Sequence, residues 1–191
     1  MASAFIVPWV APLFALALIF VLWFFRDPER RSKAAETALL SPADGKIVEI
    51  VEVDESEYVG GRALKIAIFM SVFNVHVNRS PSPATVEWVR HEPGKFMNAI
   101  SAQAGLENEH TLVALRDGSQ RPVLVNLVAG LIARRIVCAV GPGDALERGQ
   151  RLGMIKFGSR VEVFLPLDSG FDVAVKLGET VQAGATVLGE W

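Results

Sequence analysis

Short apolar runs with a two-residue alternation dominate the chain beyond residue 45. Leu64, Ile66 and Ile68 alternate with Lys65 and Ala67, which predicts a strand with one buried face. Further strands or extended segments are predicted at residues 46–53, 73–79, 85–91, 110–116, 121–128, 131–140, 152–155 and 161–165. Residues 95–104 give the only helical pattern in the middle of the chain. Many short strands with little helix predict a mainly β domain, a sandwich or a barrel.

Glycine turns separate these strands, and one turn pattern occurs twice. Asp117-Gly118 predicts a hairpin between the 110–116 and 121–128 strands. Segments 143–152 and 178–187 share the order Gly, acid, any, aliphatic, two any, Gly, two any, aliphatic, at an offset of 35 residues. The repeat predicts two equivalent β elements packed together, and it gives the β domain a resemblance to lipoyl-type hybrid folds.

The first 25 residues contain no charged side chain, and residues 5–25 are almost entirely apolar. As a helix this run would rise about 31 Å, close to the hydrocarbon thickness of a bilayer, which predicts a membrane helix. Pro8 and Pro12 shorten the uninterrupted stretch, so a re-entrant or interfacial anchor stays open. The basic residues that follow predict that the rest of the chain lies on the cytoplasmic side of the cell membrane. They are Arg26, Arg30, Arg31 and Lys33.

Length and composition limit the remaining choices. A chain of 191 residues, 51% hydrophobic and 21% charged, is too short for two full domains. We expect a membrane anchor with a basic juxtamembrane segment at 1–33 and one β-rich catalytic domain at 34–191. A net charge of −2 argues against binding to nucleic acid. The single cysteine, Cys138, lies in an apolar run and is interpreted as a small buried hydrophobic residue.

One short kink, residues 156–160, interrupts the apolar runs 152–155 and 161–165. A glycine in a strand-like pattern, here Gly158, indicates a bulge or a close approach of the backbone. The ordinary interpretation is a bulge followed by a solvated serine. The alternative is that the Ser159 hydroxyl attacks the Gly158 carbonyl, because glycine permits the strained backbone that this attack needs.

A serine hydroxyl needs a base, and an imidazole base needs an orienting group. Asp44 in the 41–45 turn and His76 on an extended segment could fill these two roles for Ser159. Each residue also has a structural explanation, since aspartate before glycine is common in turns. The three histidines of the chain show no metal-ligand spacing, so no metal is predicted.

Six blocks of sequence together resemble the short bacterial and archaeal form of phosphatidylserine decarboxylase, from about Phe24 to the C-terminus. They are Phe24-Phe25-Arg26-Asp27-Pro28, Ser41-Pro42-Ala43-Asp44-Gly45, the run 69–79, the run 93–99, the run 130–135 and Phe157-Gly158-Ser159-Arg160. Six blocks in order are specific in a way that no single block is.

The resemblance implies a self-cleaving enzyme that converts phosphatidylserine to phosphatidylethanolamine and CO2 through a Schiff base to a pyruvoyl group. It implies that Asp44, His76 and Ser159 form the maturation triad and that the Gly158–Ser159 bond is cut. The pyruvoyl cofactor would then derive from Ser159. Subunits 1–158 and 159–191 would stay associated, with membrane lipids and the phospholipid substrate as partners, and homo-oligomerisation is left open.

Two positions qualify this resemblance. Longer family members carry a further histidine three residues before the triad histidine, where this chain has Phe73, so proton transfer falls to His76 or to water. Arg134 and Arg135 are candidates for the lipid phosphate, because guanidinium groups suit phosphate geometry. On an alternating strand they point to opposite faces, so at most one reaches the site.

Two other classes of function remain open from the residues alone. One is a membrane-anchored serine hydrolase that uses Asp44, His76 and Ser159, although the Gly-x-Ser-x-Gly motif is absent. The other is a non-catalytic, lipoyl-like binding module tethered to the membrane, although no convincing attachment lysine is present.

Overall fold

The structure is a computed structural model that describes residues 7–131, 135–156 and 158–191. Its helices are α1 (Val7–Phe24), α2 (Ala104–Glu107) and a 3-10 turn at Leu167–Ser169. The first seven strands are β1 (Ala38–Leu40), β2 (Gly45–Glu55), β3 (Gly61–Met70), β4 (Val77–Arg79), β5 (Ala84–Glu92), β6 (His110–Asp117) and β7 (Pro122–Val128). The others are β8 (Ile136–Cys138), β9 (Ala145–Leu146), β10 (Arg151–Ile155), β11 (Ser159–Pro166), β12 (Asp172–Val173), β13 (Thr180–Val181) and β14 (Val187–Glu190). The prediction of a mainly β domain is confirmed.

The described strands form one large and two small sheets. The large sheet has the order β13-β2-β3-β11-β7-β6-β5-β9, and the small sheets have the orders β4-β10-β8 and β1-β14-β12. All of the strand pairs are antiparallel. The hydrophobic core lies on one face of the large sheet, which is built by alternate residues such as Val161 and Val163 of β11.

The repeated glycine turns explain how the large sheet curls. The two repeats contribute β9 and β13, which are the two end strands of the sheet order. Gly149 and Gly184, the second glycines of the repeats, both have positive φ angles and pack against each other. The turns that follow β9 and β13 therefore lie against each other, and the large sheet is curled into an open half-barrel. The predicted contact between the repeats is confirmed.

The predicted helix at 95–104 is wrong for most of its length. Helix α2 covers only Ala104–Glu107. Before it, the Asn108 side chain accepts from the Met97 amide (2.9 Å) and donates to the Met97 carbonyl (2.9 Å), which holds the chain in an irregular path. The predicted strand at 131–140 is present only as β8 among its described residues.

Helix α1 occupies most of the apolar N-terminal run, so the predicted helix is present. Within the described part of the chain, no helix has both the length and the apolar character that a membrane span needs, and the predicted span is not confirmed.

Arginines attach the segment that follows α1 to the β domain. Arg79 donates to Asp27 (2.6 Å), and Arg151 also pairs with Asp27. Arg148 donates to the carbonyl of Ala34 (2.9 Å). These bonds fix the path of the chain between α1 and β1.

Candidate active site

The kink predicted at 156–160 lies where the chain passes from a small sheet into the large one. It leaves β10 at Ile155 and enters β11 at Ser159. Gly158 has a φ of +70°, a left-handed conformation that side chains other than glycine rarely adopt. Phe157 lies outside the described residues. The structural role predicted for this glycine is confirmed.

His76 lies against this kink, directly before β4. The Ile155 amide donates to the His76 carbonyl at 3.3 Å, so the pairing of β4 with β10 brings the imidazole to the junction. Nδ1 lies 2.9 Å from the Asn74 carbonyl oxygen. A carbonyl can only accept, so Nδ1 carries the proton and Nε2 carries the lone pair. Nε2 accepts the Gly158 N–H at 3.2 Å. The basic nitrogen therefore contacts the residue that forms the N-terminal side of the Gly158–Ser159 bond.

The surroundings of His76 keep it neutral. The side chain is fully buried, and the Phe24 ring at the end of α1 lies 4.3 Å from the imidazole, centroid to centroid. Burial lowers the pKa of His76 to about 4, and the nearby Arg26 charge acts in the same direction, against the Asn74 hydrogen bond. At neutral pH the imidazole is therefore unprotonated, the form that a general base requires.

Ser159 is the first residue of β11 and is also fully buried. Its pairing with Met70 turns the side chain toward the core face, where Oγ donates to the Met70 sulfur at 3.2 Å. A thioether is a weak acceptor, so little energy holds the hydroxyl in this rotamer. The serine is not the solvated residue of the ordinary bulge interpretation.

The Gly158 carbonyl is packed against a second glycine. A Cβ built on Gly130, just after β7, would overlap the Gly158 carbonyl oxygen and lie 3.1 Å from its carbon. A residue with any side chain at 130 would displace this carbonyl. The position of the group that Ser159 would attack therefore depends on the absence of a side chain at 130.

Asp44 does not make the contact that a simple triad requires. Its Oδ2 is paired with Arg30 at 3.0 Å and its Oδ1 accepts the Ala183 amide at 2.8 Å. The nitrogen of His76 that an orienting carboxylate would bind faces Asn74 instead. The expected direct orientation of His76 by Asp44 is therefore corrected: in this structure a backbone carbonyl fixes the tautomer. Any role of Asp44 in maturation stays a prediction.

The candidate phosphate ligands are not brought into this site by any described contact. Arg134 lies outside the described residues. Arg135 is exposed, and its carbonyl accepts the Lys156 amide at 3.3 Å. The described residues include no group of three or more His, Cys, Asp or Glu side chains that could hold a metal ion.

Four residues that shape the site were not assigned a role from the sequence. They are Phe24, Met70, Asn74 and Gly130. All four lie within the blocks that carry the family resemblance, which was the available signal. Their roles depend on ring stacking, a sulfur contact, a backbone carbonyl and a close approach, and none of these has a motif of its own.

A neutral, buried imidazole contacts the amide of Gly158, and a buried serine follows this glycine in the chain. Groups of these kinds can cut a peptide bond. The fold and the site thus define a candidate proenzyme, a chain that becomes active by processing itself. Residues 17–189 match the family model described as phosphatidylserine decarboxylase. The chain belongs to the phosphatidylserine decarboxylase family.

Several relatives support this assignment over most of their length. The phosphatidylserine decarboxylase proenzyme of Desulfotalea psychrophila is 48% identical over 178 residues, which cover 93% of this chain and 82% of the relative. The proenzyme of Symbiobacterium thermophilum is 51% identical over 180 residues, or 94% and 82%. That of Cupriavidus metallidurans is 49% identical over 183 residues, or 95% and 83%. The family predicted from the sequence is confirmed.

Proposed function

We propose that this chain cuts itself between Gly158 and Ser159 and then decarboxylates phosphatidylserine to phosphatidylethanolamine and CO2. The observation that supports it most directly is the contact of 3.2 Å between the basic nitrogen of His76 and the Gly158 amide. The names of the relatives, which are proenzymes of this activity, support both the cut and the substrate. No observation favours the serine hydrolase or the binding module.

The proposed maturation steps involve Ser159, the Gly158 carbonyl and His76. The Ser159 Oγ would bond to the Gly158 carbonyl carbon while the C–N bond to Ser159 breaks, which gives an ester. His76, whose Nε2 contacts the Gly158 amide, would take the hydroxyl proton once Ser159 leaves its contact with Met70. Loss of the Ser159 α-proton then breaks the Cβ–Oγ bond, releases the Gly158 carboxylate and leaves a dehydroalanine. Hydrolysis of that residue releases ammonia and leaves the pyruvoyl group, so the whole sequence consumes one water.

The residues around position 159 fit a pyruvoyl group. It would replace a side chain that is fully buried beside Met70, at the end of a strand that is paired on both sides. The group would supply a carbonyl that accepts the electrons left when CO2 departs. Phe73 is 68% exposed and has no titratable group, so His76 remains the candidate for proton transfer.

Intact mass spectrometry of the purified protein tests this proposal. We expect fragments of 158 and 33 residues, with the smaller one lighter by one ammonia than a fragment that begins with serine. Purified protein should also release CO2 from phosphatidylserine. A single uncut chain with full activity would exclude the mechanism.

Asp44→Asn is expected to slow the cut by about ten- to hundredfold, because it removes a charged hydrogen-bond acceptor next to Arg30 and the Ala183 amide. The fraction of cut chain is followed by mass after synthesis in a cell-free system. Arg30→Gln is the companion variant. Equal slowing in both variants indicates that Asp44 acts through Arg30, and unchanged kinetics in Asp44→Asn would remove it from the maturation machinery.

We propose that the protein lies on the cell membrane with its β domain on the cytoplasmic side. Helix α1 exposes large apolar side chains to the surroundings; they include Leu13, Phe14, Leu16, Leu18, Ile19 and Leu22. The exposed Phe73 extends this surface, since its ring lies 6.2 Å from that of Trp23. Arg26 stacks on Trp23 at 4.0 Å, which puts a cation at the edge of the apolar surface, as anionic lipid headgroups favour.

Cell fractionation tests this location. We expect the protein in the membrane fraction, released by detergent and retained at high salt, because apolar contacts are not screened by ions. Protease added to inverted membrane vesicles should digest the β domain. Recovery in the soluble fraction, or protection in inverted vesicles, would contradict the proposal.

Two finer points of architecture also remain proposals. The packing of Gly149 against Gly184 supports a likeness to lipoyl-type folds. Residues 26–35 have no regular secondary structure and strand β1 begins at Ala38, which supports a domain that begins near residue 34. Limited proteolysis that cuts first inside 34–158 would argue against this boundary.

A further inference from the structure

A group of four charged side chains, two of them buried, lies on the face of the large sheet opposite to the core, next to the proposed cleavage site. Arg160 is 1% exposed and Glu162 is 2% exposed. The Arg160 Nε donates to Glu162 at 2.7 Å, and its Nη2 is paired with Glu49 of β2. Lys65 of β3 lies 3.1 Å from Glu49. Two positive and two negative charges therefore balance each other; Arg160 and Glu162 are buried, and Lys65 and Glu49 are partly exposed.

The strand register shows that Arg160 ties three strands together. Glu49, Ala67 and Glu162 lie side by side on β2, β3 and β11. The small Ala67 separates the two carboxylates, and the guanidinium group of Arg160 bonds to both. Arg160, the second residue of β11, thus connects the start of this strand to β2, although β3 lies between the two strands in the sheet.

Other residues are fitted around the same carboxylate. The Asn126 side chain donates to Glu162 at 3.1 Å. A Cβ on Gly105 of α2 would overlap the Glu162 carboxylate, so the helix covers the ion pairs only because this residue is glycine. A buried ion pair with this many partners resists rearrangement, because moving one charge leaves another without compensation.

The proposed cut removes a covalent restraint at the start of β11. Before it, β11 is held at its start by the peptide bond to Gly158. After it, residue 159 is a chain end without a backbone N–H, and chain ends fray unless they are tied down. Arg160 then supplies the first backbone donor and the first side chain of the small subunit.

We propose that Arg160 is a positioning residue that holds the cut end of β11, and with it the pyruvoyl group, in register beside His76. The inference rests on the proposed function. It predicts that loss of Arg160 opens the start of β11 more in the cut chain than in the uncut chain.

The experiment compares hydrogen exchange at the amides of residues 160–163 in cut and uncut protein. In cut Arg160→Met we expect exchange at least about tenfold faster than in the cut wild type, because local opening of the strand end becomes easier. In the uncut background, Ser159→Ala/Arg160→Met should accelerate exchange over Ser159→Ala by less than about half the factor seen in the cut pair, because the peptide bond to Gly158 still restrains the strand end. Decarboxylase activity should fall with the loss of protection, while the cut still goes to completion.

Two further variants keep the test decisive. Glu49→Gln removes only the partner on β2, so it should give an intermediate acceleration even if Arg160→Met fails to fold. Arg62→Met is the control, because Arg62 of β3 is paired with Glu52 of β2 in the same sheet but is exposed. It should leave exchange and activity unchanged.

The outcomes separate the two proposals. Equal exchange in cut wild type, cut Arg160→Met and cut Glu49→Gln would overturn the positioning role of Arg160 and leave the proposed function intact. Equal acceleration in cut and uncut forms would reduce Arg160 to a general structural role and also overturn it. A wild-type chain that is never cut would refute the proposed function, and with it the positioning role of Arg160.

Discussion

Ser159→Ala is expected to yield a full-length chain that is never cut and has no decarboxylase activity. The variant removes the hydroxyl that, in the proposed mechanism, attacks the Gly158 carbonyl. The fold should survive, because the hydroxyl contributes only a contact of 3.2 Å with the Met70 sulfur, a weak acceptor. The loss should therefore be complete in mass spectra and activity assays, while the circular dichroism spectrum of the protein stays that of the precursor.

Ser119→Ala, in the turn between β6 and β7, is the matched control and should be cut like the wild type. A cleaved product from Ser159→Ala would show that another group performs the attack. An uncut variant with residual activity would separate decarboxylation from processing, and both results would count against the pyruvoyl mechanism.

Gly130→Ala is expected to block maturation almost as completely, although residue 130 has no reactive side chain. The new methyl group would occupy the position of the Gly158 carbonyl oxygen, so either β7 or the carbonyl must move. A displacement of about 1 Å from a reactive geometry can reduce a rate by about a hundredfold. The measurement is the rate at which full-length chain disappears after synthesis.

Gly141→Ala provides the control for this substitution. It lies on the connection between β8 and β9, and a Cβ there would meet no heavy atom within 4 Å. We expect normal maturation in Gly141→Ala. Normal maturation in Gly130→Ala as well would mean that the position of the Gly158 carbonyl is not critical for the cut.

The sequence predicted many of the strands because short apolar runs bounded by turn residues mark them. The alternation at 64–68 became β3, and the hairpin around Asp117-Gly118 became β6 and β7. The helix predicted at 95–104 failed because a single long-range residue, Asn108, fixes the backbone at Met97. A hydrophobic pattern reflects only residues that are close in the sequence, so it cannot predict a hydrogen bond from a side chain eleven residues away.

The site was predictable as a set of residues and not as a set of contacts. His76 does lie beside the Gly158–Ser159 bond. Asp44, however, is bound to Arg30, and the sequence could not indicate whether a carboxylate in a turn meets an arginine or a histidine. The tautomer of His76 depends on the backbone carbonyl of Asn74, a group that every residue has.

The position of β11 determines whether the two fragments of the proposed cut stay associated. This strand lies between β3 and β7 in the large sheet, and β14 lies between β1 and β12 in a small sheet. The last 33 residues are thus interlaced with the rest of the chain in two sheets, and they carry Val161, Val163 and Leu165 of the shared core. Cut as proposed, the protein would contain two polypeptides but a single cooperative folding unit, which should melt in one transition and release its short chain only on denaturation.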